Sequence, residues 1–389
     1  MCQAAMFGDG PDTGPAEPYL TGAIFKLNEL IQKSMGRDGG YGESLGYCNF
    51  TMLSLSKALP ALARIFNIDL SANIRNSFQD ILWAGNIQAK NFFHFGDSFA
   101  GLVPLTNWAW YLEKSQDPLL GWLYHFLKQD ETMMDVLYET ENAPRKPPFS
   151  ENPVRVFRDI GTTVFKSGWE KDDFTFVMRT GAFFNHQHLD QGTFWLADRG
   201  EIFIEERHGS TYYDDPIYQS HYTQPIAHST ILIDRNPQSQ RVGDPLLFAE
   251  GFDDHAFISH FLDGERAAFS SGDIGRLYWG KVKGIQRNVL YLKPRTLLML
   301  DTITPAETNA DVTLLYQTLR LADIHPDAKI STIIKGRTEL SIRHLAPEKA
   351  AVEAAETPHY INTLKTENPL IREGMLTVPA RTEGKPLVM

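Results

Sequence analysis

Residues 143–153, APRKPPFSENP, separate two parts of the sequence that differ in hydrophobic periodicity. Proline lacks a backbone N–H and fixes φ, so this proline-rich stretch with its basic pair ends any regular element. Before it, apolar residues recur at helical spacing over about residues 19–137. After it come short β-rich runs, among them FTFVMRT, GTFWLA, EIFIEE and HSTILID. We therefore predict an α+β protein, with a helical domain over 1–148 and an antiparallel β domain of two packed sheets over 149–389.

The composition is that of a globular protein with an acidic surface. Among 389 residues, 42% are hydrophobic, and 37 basic against 48 acidic side chains give a formal net charge of −11. This charge disfavours nucleic acid as a partner, and a site for an acidic glycan must supply its own cations. The sequence has no run of 18 apolar residues and no recognisable secretion signal, so it predicts no membrane span.

The densest cluster of polar side chains is NHQHLD, residues 185–190. Alternate side chains of an extended chain lie on the same face, so His186, His188 and Asp190 would share one. A His-x-His pair can bind Zn²⁺ through its imidazole nitrogens, or provide one metal ligand and one catalytic group. Two surface histidines in a turn fit the same spacing.

Further zinc ligands could come from other parts of the β half. Glu205 and Glu206 follow the run EIFI, and His228 opens the run HSTILID. A site of His188, one of the glutamates and His228 has donors that zinc accepts. A glutamate pair at a solvated sheet edge and a hydrogen-bonded structural histidine are the alternatives.

Tyrosines crowd the segment between these candidates, at Tyr212, Tyr213, Tyr218 and Tyr222. A phenol can donate a proton at neutral pH, or act as a base where cations lower its pKa. Aromatic faces with a hydroxyl also suit contacts to sugars, whereas packing within a long loop is the plainer alternative.

The helical half contains a glycine-rich stretch, DGGYGESLGYCNF at 38–50, which carries Glu43 and Tyr47. Glycines allow backbone and side chains to approach a ligand closely. Glu43 could instead favour the start of a helix, and Trp108 could line a groove or belong to the core.

These stretches resemble the heparinase II/III-like polysaccharide lyases, a family that includes alginate and oligoalginate lyases. FFNHQHLDQGTFWLADRGEIFIEE (183–206) is similar to the family's His-x-His-x-Asp-x-Gly-[Ser/Thr]-Phe stretch. AHSTILID (227–234) resembles its Ala-His-Asn-Thr strand, with Ser229 in place of Asn. DGGYGESLGYCNFTM (38–52) is similar to its stretch with a catalytic tyrosine, and 285–303 resembles a sandwich hairpin of the family.

The resemblance implies an (α/α) toroid, here incomplete, followed by an antiparallel β-sandwich, with the cleft between them. The implied reaction is β-elimination on a uronic-acid-containing glycan, in which the C5 proton leaves, the C4–O bond breaks and an unsaturated sugar forms. The charge that builds beside the uronate carboxylate must be neutralised. His186 resembles the residue that does so, and Tyr47 resembles the proton donor that can also be the base. Tyr222 is similar in placement to a second catalytic tyrosine of some members.

A zinc ion is implied at His188, Glu205 or Glu206, and His228, where it would join sandwich strands and orient the catalytic histidine. The ligand from the glutamate pair replaces the family's usual aspartate. We also expect substrate contacts from a second group of residues: Glu43, Trp108, Asn185 and Tyr213.

The sequence departs from the family in its helical part. The family residue that grips the uronate carboxylate lies tens of residues before the tyrosine, but residues 1–19 contain neither His nor Asn. We therefore expect a shortened toroid, and two alternatives stay open: a non-catalytic carbohydrate-binding protein of the same fold, and a metal-dependent glycan hydrolase. The expected partner is an anionic polysaccharide or oligosaccharide, and a homodimer and a periplasmic or secreted location are expected from the resemblance.

Overall fold

The computed structural model describes nine stretches of the chain, and every structural statement below concerns these residues: 17–43, 45–96, 105–182, 188–205, 217–241, 255–306, 309–348, 351–360 and 370–389.

The described part of the helical half contains six α-helices. They are α1 (Glu17–Ser34), α2 (Leu45–Phe66), α3 (Phe78–Trp83), α4 (Ala109–Ser115), α5 (Pro118–Leu127) and α6 (Met133–Leu137). None of these helices combines the length and the hydropathy needed to cross a bilayer. Helix α5 begins where the sequence allows it, because the Asp117 carboxylate accepts hydrogen bonds from the N–H groups of Leu119 and Leu120 at 2.8 and 3.2 Å.

The helical half is not purely helical, which corrects the periodicity-based prediction. A short antiparallel hairpin joins β1 (Gly85–Asn86) to β2 (Asn91–Phe92). A Cβ at Gly85 would lie 2.4 Å from the carbonyl oxygen of Asn91, so only glycine permits this close approach of the two backbones.

The second half consists of antiparallel strands, as predicted. In chain order they are β3 (Arg155–Phe157), β4 (Thr162–Lys166), β5 (Thr175–Arg179), β6 (Phe194–Asp198), β7 (Glu201–Ile204), β8 (Ile231–Ile233), β9 (Phe257–Asp263), β10 (Ala267–Asp273), β11 (Val282–Leu292), β12 (Thr296–Pro305), β13 (Asp311–Thr318), β14 (Ile324–His325), β15 (Ile330–Lys335), β16 (Thr338–Arg343), β17 (Glu353–Tyr360), β18 (Leu370–Arg381) and β19 (Leu387–Val388). Two packed sheets were expected, but the described strands of this half form four: β3-β4-β5-β6-β7, β19-β12-β11-β10-β9, β17-β18-β13-β8 and β14-β15-β16.

The sheet β3–β7 lies between the helices and the remaining strands. Every residue of β4 and β5 is buried, which is typical of strands covered on both faces. Val164 and Val177 belong to the apolar core that contains the helices, whereas Phe165 and Phe176 pack with Tyr291 on the other side. Strand alternation therefore places one face of this sheet against the helices and one inside the sandwich.

Helices and sheet are joined by a polar contact as well as by this core. The Arg37 N–H donates to the Asp159 carboxylate at 2.7 Å, and the Asp159 N–H donates to the Asp38 carboxylate at 3.1 Å. The last helical turn before the sheet ends at Ser150 and β3 begins at Arg155. The domain division after residue 148 and the toroid stay predictions.

Candidate active site

Tyr47 lies in the first turn of α2, shortly after a tight glycine-rich turn. That turn is closed by hydrogen bonds from the Gly36 N–H to the Gly40 carbonyl and from the Gly42 N–H to the Ser34 carbonyl, both 2.8 Å long. The Tyr47 ring is half-buried and meets the edge of Phe50 at a centroid distance of 6.1 Å. Part of the phenol therefore stays accessible while its ring is supported.

Tyr41, the other tyrosine of this turn, is in a different environment. It is 1% exposed, and its hydroxyl lies 2.6 Å from the Thr51 hydroxyl and 3.2 Å from the Glu43 carboxylate. Burial raises the pKa of Tyr41 well above its ordinary value, and the nearby Glu43 charge adds to the rise. Tyr41 is consequently a structural tyrosine, and its hydroxyl donates a hydrogen bond to the Glu43 carboxylate within the turn.

Trp108 lies in the core of the helical half rather than on an open groove. Its ring is fully buried and packs edge-on against Phe78 and Tyr111, at centroid distances of 6.3 and 6.0 Å. Of the two alternatives that the sequence left open for Trp108, the core position matches its surroundings.

The turn between β5 and β6 is fixed by a glutamine. Gln191 accepts a hydrogen bond from the Gly181 N–H at 2.6 Å and donates to the Asp190 carboxylate at 2.9 Å. The Gln191 N–H in turn donates to the Gln240 side chain at 3.1 Å. His188 and Asp190 are both fully buried in this turn, so His188 is not the surface histidine of the plainer interpretation.

His188 and His228 lie side by side, as the predicted metal site requires. Their ring centroids are 5.4 Å apart at an interplanar angle of 63°, and both rings are fully buried. The Tyr218 ring packs edge-on against His188, with their centroids 6.0 Å apart. The fold thus brings together two histidines that are forty residues apart in the sequence.

Glu205 reaches the same region through the backbone of β13. The Glu205 N–H donates to the Gln317 carbonyl at 3.2 Å, while the Gln317 side chain donates to the His228 carbonyl at 3.4 Å. The Gln317 N–H also donates to the Ser229 hydroxyl at 3.0 Å. Gln317 therefore aligns the end of β7 with the segment that carries His228.

Two adjacent buried imidazoles are a donor pair that suits Zn²⁺. Within the described stretches, however, no group of three or more His, Cys, Asp and Glu side chains comes together as a metal site. Glu206, one of the two glutamates proposed as ligands, lies outside those stretches. The zinc site stays a prediction whose two histidines are in a suitable arrangement.

Tyr222 is placed in a single π-helical turn, Tyr218–Tyr222, and is fully buried. It packs against His221 at a centroid distance of 5.7 Å, and the His221 ring lies 2.9 Å from the Thr357 hydroxyl. The predicted catalytic role of Tyr222 stays untested. Three further predicted site residues, Asn185, His186 and Tyr213, lie outside the described residues.

Sequence reasoning missed Arg179, the last residue of β5. Its guanidinium is fully buried, and one nitrogen, Nη2, donates to the Gly42 carbonyl at 2.9 Å and to the Ala182 carbonyl at 3.1 Å. The guanidinium also stacks on Phe95, 4.2 Å from the ring centroid. The signal was a single charged residue inside the apolar run FTFVMRT.

Asp80 is a second buried charge behind the glycine-rich turn. Its carboxylate accepts a long hydrogen bond from the Tyr41 N–H, at 3.5 Å, and its own N–H donates to the Gly39 carbonyl at 3.2 Å. Burial raises the pKa of Asp80 to about 7, although Arg179 acts in the opposite direction.

Comparison with known families gives a match to "Heparinase II/III-like, C-terminal" over residues 150–373, which is more than half of the chain. The protein belongs to the heparinase II/III-like family. The resemblance inferred from the sequence motifs is therefore confirmed. No match is found among the curated proteins.

Solved structures of this family share the fold at low sequence identity. A crystal structure of heparinase III superposes with a TM-score of 0.73 at 15% identity, covering 96% of this chain and 57% of that one. The heparan sulfate lyase HepC from Pedobacter heparinus gives a TM-score of 0.68 at 16% identity, covering 96% of this chain and 55% of that one. The α+β architecture is confirmed, and the chain spans a little over half of the length of these structures.

Proposed function

We propose that this heparinase II/III-like protein is a polysaccharide lyase that cleaves a uronic-acid-containing glycan by β-elimination. The observation that carries the proposal is the pair of hydrogen bonds by which Arg179 links the helical half to the first sheet. One buried guanidinium nitrogen contacts the turn that leads to Tyr47 and the strand end that leads to His186. A phenol from the helices and an imidazole from the β domain would then act on the same sugar.

In the proposed reaction, a base removes the C5 proton and the electron pair forms the C4–C5 double bond as the C4–O bond breaks. The leaving oxygen takes up a proton. A phenol keeps its proton at neutral pH, so the half-buried Tyr47 suits the role of proton donor. His186 would neutralise the charge that develops on the uronate carboxylate, a contribution of several kcal/mol in a site shielded from water.

Zinc, when bound, would crosslink and order the strands around this site. His188 and His228 would hold it, together with Glu205 or Glu206. The two buried imidazoles support this assignment. The substrate would be an anionic polysaccharide or oligosaccharide, with Glu43, Asn185 and Tyr213 as further contacts. Export from the cytoplasm and a homodimer stay predictions from the resemblance.

The test is incubation of the purified protein with a panel of uronic-acid polysaccharides, followed by ultraviolet absorbance. A C4–C5 double bond conjugated to the carboxylate absorbs, so the proposal predicts rising absorbance with at least one glycan. Cleavage without absorbance would instead indicate the metal-dependent hydrolase. Saturable glycan binding without any cleavage would indicate the non-catalytic carbohydrate-binding protein.

A further inference from the structure

We propose that Arg179 is a positioning residue, which sets the separation between the turn of Tyr47 and the strand end before His186. This inference rests on the proposed lyase function, because it concerns two residues that act together only in that reaction. It assigns a role in that reaction to a residue that would act through the position of other residues rather than by contacting the sugar or transferring the proton.

The surroundings of Arg179 differ from those of an arginine that only stabilises a fold. In the described part of the chain, its Nε and Nη1 atoms have no hydrogen-bond partner. Burial lowers the pKa of Arg179, and the charges of Asp190, Asp80 and Glu43 oppose that shift without touching the guanidinium. Burying a cation without a paired anion is unfavourable for folding.

Arg287 provides the contrast within the same domain. It is equally buried, but its Nε and Nη2 atoms form a bidentate pair with the Asp301 carboxylate, each contact 2.8 Å long. Such a pair satisfies both partners and joins β11 to β12. Among the described residues, Arg179 has no such carboxylate pair, and its hydrogen bonds go to the backbone carbonyls of Gly42 and Ala182.

The contacts of Arg179 connect two specific segments. Gly42 precedes Tyr47 by five residues, and Ala182 precedes His186 by four. The Nη2 atom donates to the carbonyl oxygens of both Gly42 and Ala182, so both segments are held at hydrogen-bond distance from one atom. Displacing reacting groups by about 1 Å can lower a rate about 100-fold. Loss of this link could therefore lower kcat.

The strand side of this link is rigid, so the turn of Tyr47 is the part that Arg179 restrains. The Thr180 N–H donates to the Gly161 carbonyl at 2.6 Å, and the Gly181 N–H is held by Gln191. A Cβ at Gly181 would lie 2.1 Å from the Ile160 carbonyl oxygen, which shows how closely the backbones approach there. Loss of Arg179 is therefore expected to release the segment around Gly42.

The test compares Arg179→Lys with Arg155→Lys. Arg155 also extends from the β domain to the glycine-rich turn, where its Nη2 donates to the Asp38 carbonyl at 3.2 Å, but it does not contact residue 182. A lysine ammonium lacks the planar fork of arginine. For Arg179→Lys we expect kcat to fall about 100-fold with KM changed less than about threefold, whereas Arg155→Lys keeps kcat within about threefold.

Two further measurements separate positioning from folding. Arg179→Ala should recover part of its kcat when guanidinium ion is added at millimolar concentration, whereas a variant that has only lost stability should not. In both lysine variants, amide hydrogen exchange is measured without substrate. Positioning by Arg179 predicts faster exchange at residues 40–43 in Arg179→Lys than in Arg155→Lys.

The outcomes distinguish this inference from the proposed function. If the wild-type protein produces no unsaturated product, the proposed function fails, and the exchange comparison alone decides whether Arg179 restrains the turn. If the wild-type protein is active but both lysine variants keep wild-type kcat, or lose it in proportion to their unfolded fraction, the positioning role is wrong. Unchanged exchange at residues 40–43 in Arg179→Lys would also overturn it.

Discussion

Asp80 and Arg179 are buried ionisable side chains that both contact the glycine-rich turn, yet they do not form an ion pair in the described part of the chain. Each is fully buried. Folding raises the pKa of the Asp80 carboxyl from 3.8 to about 7, so the folded protein holds a proton that the unfolded chain has lost over this pH range. The resulting contribution to stability is fully present below about pH 4 and is lost as the pH rises to about 7.

We therefore predict that Asp80→Asn gains stability over the wild type as the pH rises. The difference in free energy of unfolding should grow by up to about 4 kcal/mol between pH 4 and pH 8, because asparagine does not ionise. Denaturant unfolding at a series of pH values measures this. Asp172→Asn, at an exposed position, is the control. A stability difference that does not grow between pH 4 and pH 8 would show that folding does not raise the pKa of Asp80.

A second prediction separates the two tyrosines of the turn. Tyr47→Phe should lower turnover at least about 100-fold with little change in stability, because it removes the proton donor of the reaction. Tyr41→Phe should do the reverse, costing about 1 kcal/mol of stability through the lost buried hydrogen bonds while turnover stays within several-fold. Initial rates and melting curves of both variants measure these effects. If both variants lost turnover equally, Tyr47 would not be the proton donor.

Individual site residues were predictable where residue type alone carries the chemistry. The His-x-His stretch and His228 could be predicted because imidazole is a common metal ligand, and the structure brings His188 and His228 together. Arg179 could not be predicted in the same way. Its importance depends on the carbonyls of Gly42 and Ala182, which are distant in sequence and carry no side-chain signal.

The strands with short apolar runs were predictable because burial imposes the pattern directly. FTFVMRT forms β5 and EIFIEE contains β7. Proline removes a backbone hydrogen bond from a helix, yet α2 continues through Pro60 from Leu45 to Phe66. Burial of Leu55, Leu59 and Leu62 on one face outweighs the single backbone hydrogen bond that proline removes.

The carboxy-terminal strands were not predictable from local sequence. The composition of residues 345–358 and of those after 375 indicates strands only weakly, yet β17 and β18 pair over Glu353–Tyr360 and Leu370–Arg381, and β18 pairs with β13. β18 is stabilised by pairing with β13, which is far away in the sequence, and β17 in turn pairs with β18; single-strand propensity does not report such pairing.

Strand β4 gives a prediction about the contact between sheet and helices. Lys166 is buried there, with Nζ 3.4 Å from the Leu82 carbonyl and 4.2 Å from the Trp169 ring centroid. Burial lowers its pKa from 10.5 to about 7, so its contribution to stability is least favourable below pH 7 and improves as the pH rises.

Lys166→Met should accordingly be at least as stable as the wild type at pH 6, and the advantage should shrink by pH 9. Methionine has a similar length and no charge to desolvate. Thermal unfolding at both pH values measures the difference, with Lys171→Met at an exposed position as the control. The prediction would be contradicted if the stability of Lys166→Met, measured relative to the wild type, were lower at pH 6 than at pH 9.

The helices share one of the apolar cores of the molecule with the first sheet. One apolar cluster includes Leu55 and Trp83 from the helices together with Val164, Val177 and Trp195 from the first sheet. A cleft between the two parts would therefore have walls that are fixed relative to each other, which suits a site assembled from both. The change in hydrophobic periodicity predicts that a helical part precedes a β part, but it does not predict how extensively the two parts pack together.

Metal binding is a property that we predict for the molecule as a whole. The purified protein should contain zinc, and a chelator should lower its melting temperature, because binding to the folded state stabilises it. His188→Ala should lose both the zinc and the response to chelator, while the exposed His260→Ala keeps them. Elemental analysis and melting curves test this, and a wild-type melting temperature unchanged by chelator would count against a structural metal.

The most direct test of the central claim is the mass balance of cleavage on a defined uronate oligosaccharide. β-Elimination breaks the C4–O bond without adding water, so the masses of the two fragments should sum to the mass of the parent. The fragment that carries the former C4 should also contain the double bond. If the fragments together exceed the parent by one water molecule, the enzyme is a hydrolase and the joint action of Tyr47 and His186 proposed above is wrong.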